Sequence, residues 1–280
     1  MSFFQALVLA LLQGVTELFP VSSLGHTVIL PRLFHWSIDQ RDPSFLAFVV
    51  LLHVGTATAL FIYFWDDWRP IIAAVVRSLI AGRMTGSPAE KLGWRLVAGT
   101  APIVPLGFLL ERQVRDLFAS PRIAAALLIV NGLGMLAGEQ LRRRALAADR
   151  ERTDLENLSV RAAIAIGASQ ALAFLPGISR SGTTIVAGLF ASLKHEAAAR
   201  FSFLLATPII AGAGLLEVPQ LFEPTARQHL LVYLLGGVVA GVAAFLSVAF
   251  LMRYFRVGRL DPFALYCVAF GVLATVVLSR

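Results

Sequence analysis

The polar stretch Gln13-Gly-Val-Thr-Glu17-Leu-Phe-Pro20-Val-Ser22-Ser23-Leu-Gly25-His26 interrupts an apolar chain, and a second stretch, Phe174-Leu-Pro176-Gly177-Ile-Ser179-Arg180-Ser181-Gly182-Thr183-Thr184, does the same in the other half. The segment from Pro20 to Ile29 aligns with the segment from Pro176 to Ile185. One copy carries a carboxylate and a histidine, and the other carries an arginine. This distribution predicts a split site for an anion, assembled from two related loops.

The composition indicates an integral membrane protein. Of 280 residues, 58% are hydrophobic and only 15% are charged, which is less charge than a soluble domain carries. A soluble, all-buried helical protein is the alternative, and the long apolar runs disfavour it. The net charge of +7 is gathered in loops without base-stacking aromatic residues, so it suits anionic lipid headgroups rather than nucleic acid. The lone Cys267 excludes an intramolecular disulfide and a zinc-type cysteine cluster.

Hydropathy predicts an all-α fold with six full transmembrane helices and two re-entrant helix-loop-helix hairpins. The six predicted spans are 45–65, 94–111, 122–138, 199–217, 230–252 and 262–279. The apolar segments 4–18 and 162–175 are too short to span, and each runs into sequence rich in Pro, Gly and Ser. Broken backbone at membrane depth is tolerated only inside protein or beside water, so both hairpins should line a cavity.

The distribution of Lys and Arg predicts the orientation. Loops 66–95, 139–161 and 253–261 are rich in these residues and are predicted to be cytoplasmic, with both termini outside. The hairpin in residues 1–31 then enters from the outer face, and the hairpin in residues 162–193 enters from the inner face. The chain is therefore predicted to be one membrane domain built as an inverted-topology repeat, with halves 1–138 and 162–280 and a charged, solvated cytoplasmic linker, 139–161.

In the first loop, Glu17 is the main candidate, because an acid inside the membrane is functional by default. Gln13 lies one helical turn earlier on the same face, so the two side chains can present oxygens to one hard cation such as Mg²⁺ or Ca²⁺. Ser22, Ser23 and His26 follow, and a serine beside a histidine can be an activated nucleophile. His53, in the middle of a span, is interpreted as a core histidine hydrogen-bonded to a neighbour.

In the second loop, Arg180 is predicted to bind phosphate, since guanidinium binds phosphate bidentately. It stands among small and hydroxyl residues just before a new half-helix, where backbone N–H groups favour an anion. The expected substrate-binding set is Gln13, Ser22, Gly177, Ser179, Ser181, Gly182 and Thr184. The combination of a carboxylate that can hold a metal, a Ser/His pair and a phosphate cradle predicts phosphoryl-transfer chemistry on a lipid phosphate.

The motifs Gln13-x3-Glu17, Pro20-Val-Ser-Ser-x-Gly-His26 and Pro176-Gly-x-Ser-Arg-Ser-Gly182 resemble those of the undecaprenyl-pyrophosphate phosphatases, the bacitracin-resistance proteins. The resemblance implies divalent-cation-dependent hydrolysis of the C55 isoprenyl pyrophosphate to the monophosphate and inorganic phosphate. That reaction recycles the peptidoglycan carrier lipid on the outer face of the bacterial inner membrane. Many members carry Glu where this chain has Gln13, although Gln is also an accepted variant, so Gln13 cannot serve as an acid or a base in this chain.

The resemblance also implies roles for individual residues. Glu17 would hold the metal or act in acid–base catalysis, Ser23 and His26 would compete as nucleophiles, and Arg180 would bind the pyrophosphate. Our initial hypothesis is that Ser23 attacks the distal phosphorus with His26 as its base. The expected partners are the polyprenyl pyrophosphate lipid, the bilayer and, as an open alternative, a second copy of the chain, but no nucleic acid.

Other function classes remain to be weighed. Paired re-entrant hairpins are also a transporter plan, so a flippase for polyprenyl phosphate is the main alternative. A lipid phosphatase of the type with Ser-Arg-x5-His is excluded, because the position of that His holds Val186. A serine protease is disfavoured because it needs a carboxylate to orient His26 and a cleft for a peptide.

Overall fold

The computed structural model describes residues 1–38, 42–107, 109, 120–147, 154–217, 221 and 228–279, and this part of the chain is almost entirely helical. Its α-helices are α1 (Phe3–Thr16), α2 (Ser23–Leu33), α3 (Pro43–Tyr63), α4 (Trp65–Ala81), α5 (Pro88–Thr100), α6 (Pro121–Ala147), α7 (Val160–Ser169), α8 (Arg180–Phe190), α9 (His195–Glu217), α10 (Leu230–Tyr254) and α11 (Asp261–Leu278). Short 3₁₀ turns cover Leu155–Asn157 and Gln170–Phe174.

Five of the described helices are long and apolar enough to cross a bilayer, which confirms the prediction of an all-α membrane protein at this level. They are Ser44–Tyr63, Pro121–Arg144, His195–Leu215, Leu230–Tyr254 and Asp261–Leu278. Their large apolar side chains are exposed on the outside of the bundle, for example Val238, Leu246 and Leu273. Exposed apolar surface of this extent suits hydrocarbon rather than water.

The remaining predicted span, 94–111, is not one continuous helix. Helix α5 ends at Thr100, a turn follows at 101–102, and helix resumes at 103. Pro102 causes the interruption, because it has no N–H to donate to the carbonyl four residues earlier. Residues 108 and 110–111 of the predicted span lie outside the described part of the chain.

The predicted loop 66–95 also differs from the structure, since most of it is helical. Helix α4, 17 residues long, occupies the loop from its first residue to Ala81, and α5 begins at Pro88. The buried positions of α4 recur every three to four residues, at Trp68, Ile71, Ala74 and Ser78. That is the period of an amphipathic helix, which charge counting along the loop does not detect.

Both hairpins have the break that their Pro, Gly and Ser residues predicted. The first hairpin consists of α1, a loop at 17–22 and α2, and the second consists of α7, the 3₁₀ turn, a loop at 175–179 and α8. Helices α2 and α8 both pack against α6, whereas α1 and α3 pack against α10. This arrangement brings the two loops to the same place inside the bundle.

The first residues of the predicted linker are part of α6, which continues to Ala147. Glu139 is fully buried there, and its Oε2 lies 2.8 Å from His195 Nε2 on α9. Arg143 forms an ion pair with Asp261 at the start of α11. These contacts tie the end of α6 to two helices of the second half.

Candidate active site

The two loops meet through Glu17 and Arg180. Arg180 Nη2 donates to Glu17 Oε1 at 3.2 Å, and the side chains are 14% and 8% exposed. An ion pair this enclosed loses much of its hydration, so it persists only where the geometry compensates for that loss. The contact joins the end of α1 to the first residue of α8, as the split-site interpretation requires.

Asn131 on α6 holds the two loops in register. Its Nδ2 donates to the Pro20 carbonyl at 3.2 Å, and its Oδ1 accepts from the Ser179 backbone N–H at 3.0 Å. One amide thus satisfies a polar group from each hairpin in a buried setting. Asn131 is absent from the predicted site residues, although a lone asparagine in an apolar span is a detectable signal.

The second loop packs closely against α6 at Gly177, and a Cβ on Gly25 of the first hairpin would lie 3.1 Å from the Gly177 Cα. Gly177 has a φ of +99°, a conformation that favours glycine. A Cβ at this position would lie 2.2 Å from the Ala124 carbonyl oxygen, so a side chain cannot fit. Gly177 therefore belongs to the loop geometry of the site.

Each loop ends in a serine that caps the next half-helix. Ser22 Oγ accepts from Gly25 N at 3.2 Å, and Ser179 Oγ accepts from Gly182 N at 3.1 Å. Ser22 has φ +69°, an unusual value for a serine that costs about 1–3 kcal/mol. By its capping role Ser22 corresponds to Ser179. The sequence alignment is shifted by one residue, because it matches Ser179 with Ser23 instead. Ser23 is therefore free of capping and turns toward Glu17.

Glu17 Oε2 accepts two hydrogen bonds from its own hairpin. Ser23 Oγ donates at 2.6 Å, and Gln13 Nε2 donates at 3.1 Å. With Arg180 on the other oxygen, the carboxylate is held by donors on both sides. The short bond from Ser23 places a hydroxyl proton directly on a potential base.

Arg180 retains donors that the described residues do not use. Its Nε and Nη1 are buried and have no hydrogen-bond partner there. Buried polar groups in proteins are normally paired, and unpaired guanidinium N–H groups are costly. A phosphate group would satisfy them with charge-assisted bonds.

His26 is not part of this cluster. Its Nδ1 lies 2.7 Å from the Ser22 carbonyl, which can only accept, and its Nε2 lies 2.8 Å from the Tyr266 hydroxyl. The ring also stacks on Tyr266 and Phe270. The contact between Ser23 and His26 that our initial hypothesis needs is absent from the described hydrogen bonds, because both ring nitrogens face other groups.

His53, interpreted from the sequence as a core histidine, lies beside the carboxylate instead. Its Nε2 is 3.2 Å from Gln13 Nε2 and 3.8 Å from Glu17 Oε2. Its Nδ1 does contact a neighbour, the Val49 carbonyl at 2.9 Å, as the core interpretation predicted. A polar residue on an apolar span was the available signal, but only the packing of α3 beside α1 identifies its partner.

The other predicted binding residues of the second loop bond within the protein. Ser181 Oγ donates to the Phe19 carbonyl at 3.1 Å, which adds another contact between the hairpins. Thr184 Oγ1 donates to the Arg180 carbonyl at 2.8 Å and pairs with Ser202 Oγ at 2.6 Å. These side chains shape the turn around Arg180, and Gly182 supplies the N–H that Ser179 caps.

The oxygen atoms around Glu17 fit a hard divalent cation only if a bound ligand supplies the rest of the coordination shell. Within the described part of the chain, no three His, Cys, Asp or Glu side chains gather in a metal-type cluster. Glu17 and Ser23 nevertheless offer oxygens from one carboxylate and one hydroxyl, whereas Gln13, whose oxygen was expected to join that of Glu17, turns its amide N–H toward the carboxylate instead. Mg²⁺ is commonly held by one or two carboxylates together with substrate phosphates and waters. The residues therefore fit Mg²⁺ that arrives with a phosphate ligand.

Comparison with known proteins extends over nearly the whole chain. Residues 6–273 match the family model described as bacitracin resistance protein BacA. The chain is 53% identical over 283 residues to an undecaprenyl-diphosphatase of Acidiphilium cryptum, covering 98% of this chain and 97% of that protein. It is 48% identical to undecaprenyl-diphosphatase 2 of Chromobacterium violaceum, covering 98% of both chains. It is 46% identical to an undecaprenyl-diphosphatase of Mycolicibacterium paratuberculosis, covering 100% and 98%.

Proposed function

This chain belongs to the bacitracin resistance protein family BacA, and we propose that it is an undecaprenyl-diphosphatase. It hydrolyses undecaprenyl pyrophosphate to undecaprenyl phosphate and inorganic phosphate, which recycles the carrier lipid of peptidoglycan synthesis and confers resistance to bacitracin. The observation that carries the proposal is the meeting of Glu17, Ser23 and Arg180, with two buried guanidinium N–H groups left for an anion.

The geometry favours Ser23 as the nucleophile and Glu17 as its base. Ser23 Oγ attacks the distal phosphorus, and its proton moves over the 2.6 Å hydrogen bond to Glu17 Oε2. The bond from phosphorus to the bridging oxygen breaks, and undecaprenyl phosphate leaves. Water then hydrolyses the phosphoserine and releases phosphate, and Ser23 regains a proton from Glu17. Glu17 replaces His26 in the role of base because His26 bonds to Tyr266 instead.

Arg180 binds the phosphate in this proposal and stabilises the charge of the transferring group. Donors already aimed at developing charge need no reorganisation during the reaction. Glu17 and Ser23 would hold Mg²⁺ or Ca²⁺, which would neutralise charge on the pyrophosphate. The ion pair with Glu17 keeps the guanidinium in place before substrate arrives.

An apolar groove beside the site suits the isoprenoid chain. The groove encloses about 670 Å³ between α1 and α10, and its lining includes Leu11, Val15, Phe19, Val242 and Phe250. Phe19, which lines the groove, comes two residues after Glu17, so the groove reaches the loop that carries the carboxylate. A lipid pyrophosphate needs this combination of an apolar channel and an adjoining cationic pocket.

The membrane orientation inferred from loop charge is part of the proposal. The protein is a multi-pass protein of the bacterial inner membrane with both termini outside, and its site opens to the outer side. The excess of Lys and Arg in the predicted cytoplasmic segments supports this orientation. The homodimer stays a prediction, which the mass of the detergent-solubilised protein would test.

Release of phosphate from undecaprenyl pyrophosphate by the purified protein in detergent tests the proposed function. Hydrolysis needs no second compartment, so turnover in detergent separates a phosphatase from a flippase. Ser23→Ala and Glu17→Gln should each lose activity by a factor of roughly 10³ or more, whereas Ser279→Ala, at an exposed serine, should match the wild type. Acid quenching should trap phosphate on the wild-type protein if Ser23 is the nucleophile.

Two further outcomes are informative. Near-full turnover by Ser23→Ala would exclude Ser23 as the nucleophile and return attention to His26. Unchanged activity after removal of divalent cations with a chelator would exclude the metal from the proposal.

A further inference from the structure

We propose that His53 is a positioning residue of the active site, which acts on Glu17 and Ser23 by fixing the amide of Gln13. The inference rests on the proposed function, since it concerns the same site. Gln13 stands between His53 and Glu17, with its Nε2 at 3.2 Å from His53 Nε2 and 3.1 Å from Glu17 Oε2.

The hydrogen bonds assign the tautomer of His53. Its Nδ1 faces the Val49 carbonyl oxygen at 2.9 Å, and a carbonyl can only accept. Nδ1 therefore carries the proton in the neutral ring, and Nε2 presents a lone pair. That lone pair faces the Gln13 side chain and requires a donor from it.

The same bonds assign the orientation of the Gln13 amide. One N–H of Nε2 points at Glu17 Oε2, and the other points at His53 Nε2. A flipped amide would place its oxygen against two acceptors, which is repulsive. Only one orientation of the amide therefore satisfies both neighbours, and His53 provides one of the two acceptors that select it.

Backbone packing keeps the two residues at this distance. A Cβ on Gly14 would lie 2.3 Å from the Ala240 carbonyl oxygen, and a Cβ on Gly55 would lie 2.1 Å from that of Gly237. Helices α1 and α3 therefore both rest against the backbone of α10, within one turn of each other. Gln13 comes just before Gly14, and His53 comes two residues before Gly55. Packing of both glycines on α10 therefore brings the two side chains together.

The effect on chemistry is indirect. His53 Nε2 is 3.8 Å from Glu17 Oε2, which is too far for a hydrogen bond, so His53 acts through Gln13. Glu17 Oε2 receives bonds from both Gln13 and Ser23. With the amide unfixed, the carboxylate oxygen that takes the Ser23 proton is less well held. The consequence should fall on the chemical step rather than on lipid binding.

Two conservative variants separate the two ring nitrogens. The His53→Gln side chain reaches the position of Nε2 and can offer an oxygen to the Gln13 amide. The His53→Asn side chain reaches only the position of Nδ1 and loses the contact with Gln13. The same two changes at His229, an exposed histidine just before α10, serve as controls.

We expect His53→Asn to lower kcat for phosphate release about tenfold with KM nearly unchanged, and His53→Gln to stay within about threefold of the wild type. Adding His53→Asn to Gln13→Ala should cost nothing further, because its effect passes through Gln13. Thermal unfolding in detergent should be alike for the two His53 variants.

Equal activity of the Asn and Gln variants, or additive losses with Gln13→Ala, would overturn the role of His53 and leave the proposed function intact. If the activity of His53→Asn falls together with its unfolding temperature, the contact is purely structural. That result would also overturn the positioning role of His53. Wild-type protein that releases no phosphate would instead overturn the proposed function, and the role of His53 with it.

Discussion

Arg180 Nη2 lies 3.2 Å from Glu17 Oε1, although 163 residues separate the two side chains in the sequence. One belongs to the first hairpin and the other to the second, so the distance measures how completely the two hairpins converge. The buried pair leaves the remaining guanidinium donors facing a place where the described residues offer no acceptor. This contact therefore supports the proposed anion site between the halves.

Two replacements of Arg180 should distinguish the contribution of its positive charge from that of its planar guanidinium group. Arg180→Ala should lower kcat/KM by roughly 10²–10³, because the donors that stabilise the transferring phosphoryl group are lost. Arg180→Lys should recover only part of this loss, since an ammonium cannot bind two phosphate oxygens in a planar fork. Phosphate-release kinetics with undecaprenyl pyrophosphate would measure both. Arg256→Lys, at an exposed residue paired with Glu196, is the control, and full activity of Arg180→Lys would contradict bidentate binding.

Substitution of Asn131 should loosen both hairpins together. Asn131→Leu leaves the Pro20 carbonyl and the Ser179 N–H without the amide that pairs them, at a cost of about 1–3 kcal/mol for each buried group. We expect a lower unfolding temperature in detergent and a loss of activity. Asn157→Leu, at an exposed position in a 3₁₀ turn, should change neither property. An active Asn131→Leu protein of wild-type stability would show that α6 does not set the register of the loops.

Filling the apolar groove should discriminate between substrates by chain length. Val242→Trp places a large side chain among the residues that line the groove, so KM for undecaprenyl pyrophosphate should rise severalfold. A pyrophosphate with a very short isoprenoid chain should be hydrolysed as by the wild type. Val276→Trp adds the same side chain to the exposed face of α11, outside the groove, and should leave both values unchanged. Equal effects on long and short substrates would exclude the groove as the site of the chain.

The connection between α4 and α5 should give an acid-dependent contribution to stability through Glu90. Its Oε2 accepts from Thr85 Oγ1 at 2.5 Å, from Thr85 N at 2.8 Å and from Gly86 N at 2.9 Å. These bonds, that of the Thr85 hydroxyl foremost, hold the pKa of the Glu90 carboxyl below its ordinary value. A lowered pKa in the folded state means that the stabilisation is complete above the unfolded pKa and is lost as pH falls through the folded one.

Glu90→Gln should therefore unfold at a lower temperature than the wild type near neutral pH. The difference should shrink once pH falls below the ordinary Glu pKa of about 4.3, where the unfolded chain takes up the proton, and should be lost as pH falls through the lowered pKa of the folded protein. Unfolding temperatures of both proteins across the acid range would test this expectation. A difference that stays constant down to low pH would show that the charge of Glu90 does not contribute.

Much of the fold was predictable, because hydrocarbon solvent imposes simple rules. A helix must satisfy its own backbone in the membrane, so long apolar runs predict spanning helices without knowledge of their neighbours. Five such helices appear where hydropathy placed them. These hydropathy rules fail where a polar segment is helical or where an apolar segment is not. Helix α4 lies in a segment that charge alone marks as a loop, and Pro102 breaks a segment that hydropathy alone marks as continuous.

The candidate site was predictable to the level of residue types. Glu17 and Arg180 stood out because a charge in an apolar chain requires a reason. The hydrogen-bond partner of the Ser23 hydroxyl was not predictable. Ser23 and His26 are three residues apart, a spacing that brings side chains together on one helix face. In the structure the Ser23 hydroxyl turns to Glu17 and the His26 ring turns to Tyr266, 240 residues away.

The sequence by itself determined that this chain is a helical membrane protein with two broken hairpins, and that a carboxylate, a serine and an arginine lie at the breaks. These features depend on local rules of hydropathy, proline and charge, which act along the chain. Only the tertiary structure decided which side chains face one another: Ser23 with Glu17, Gln13 with His53, and Asn131 with both loops. Hydrogen bonds are short and directional, so their partners are fixed by how the helices pack rather than by any order of residues.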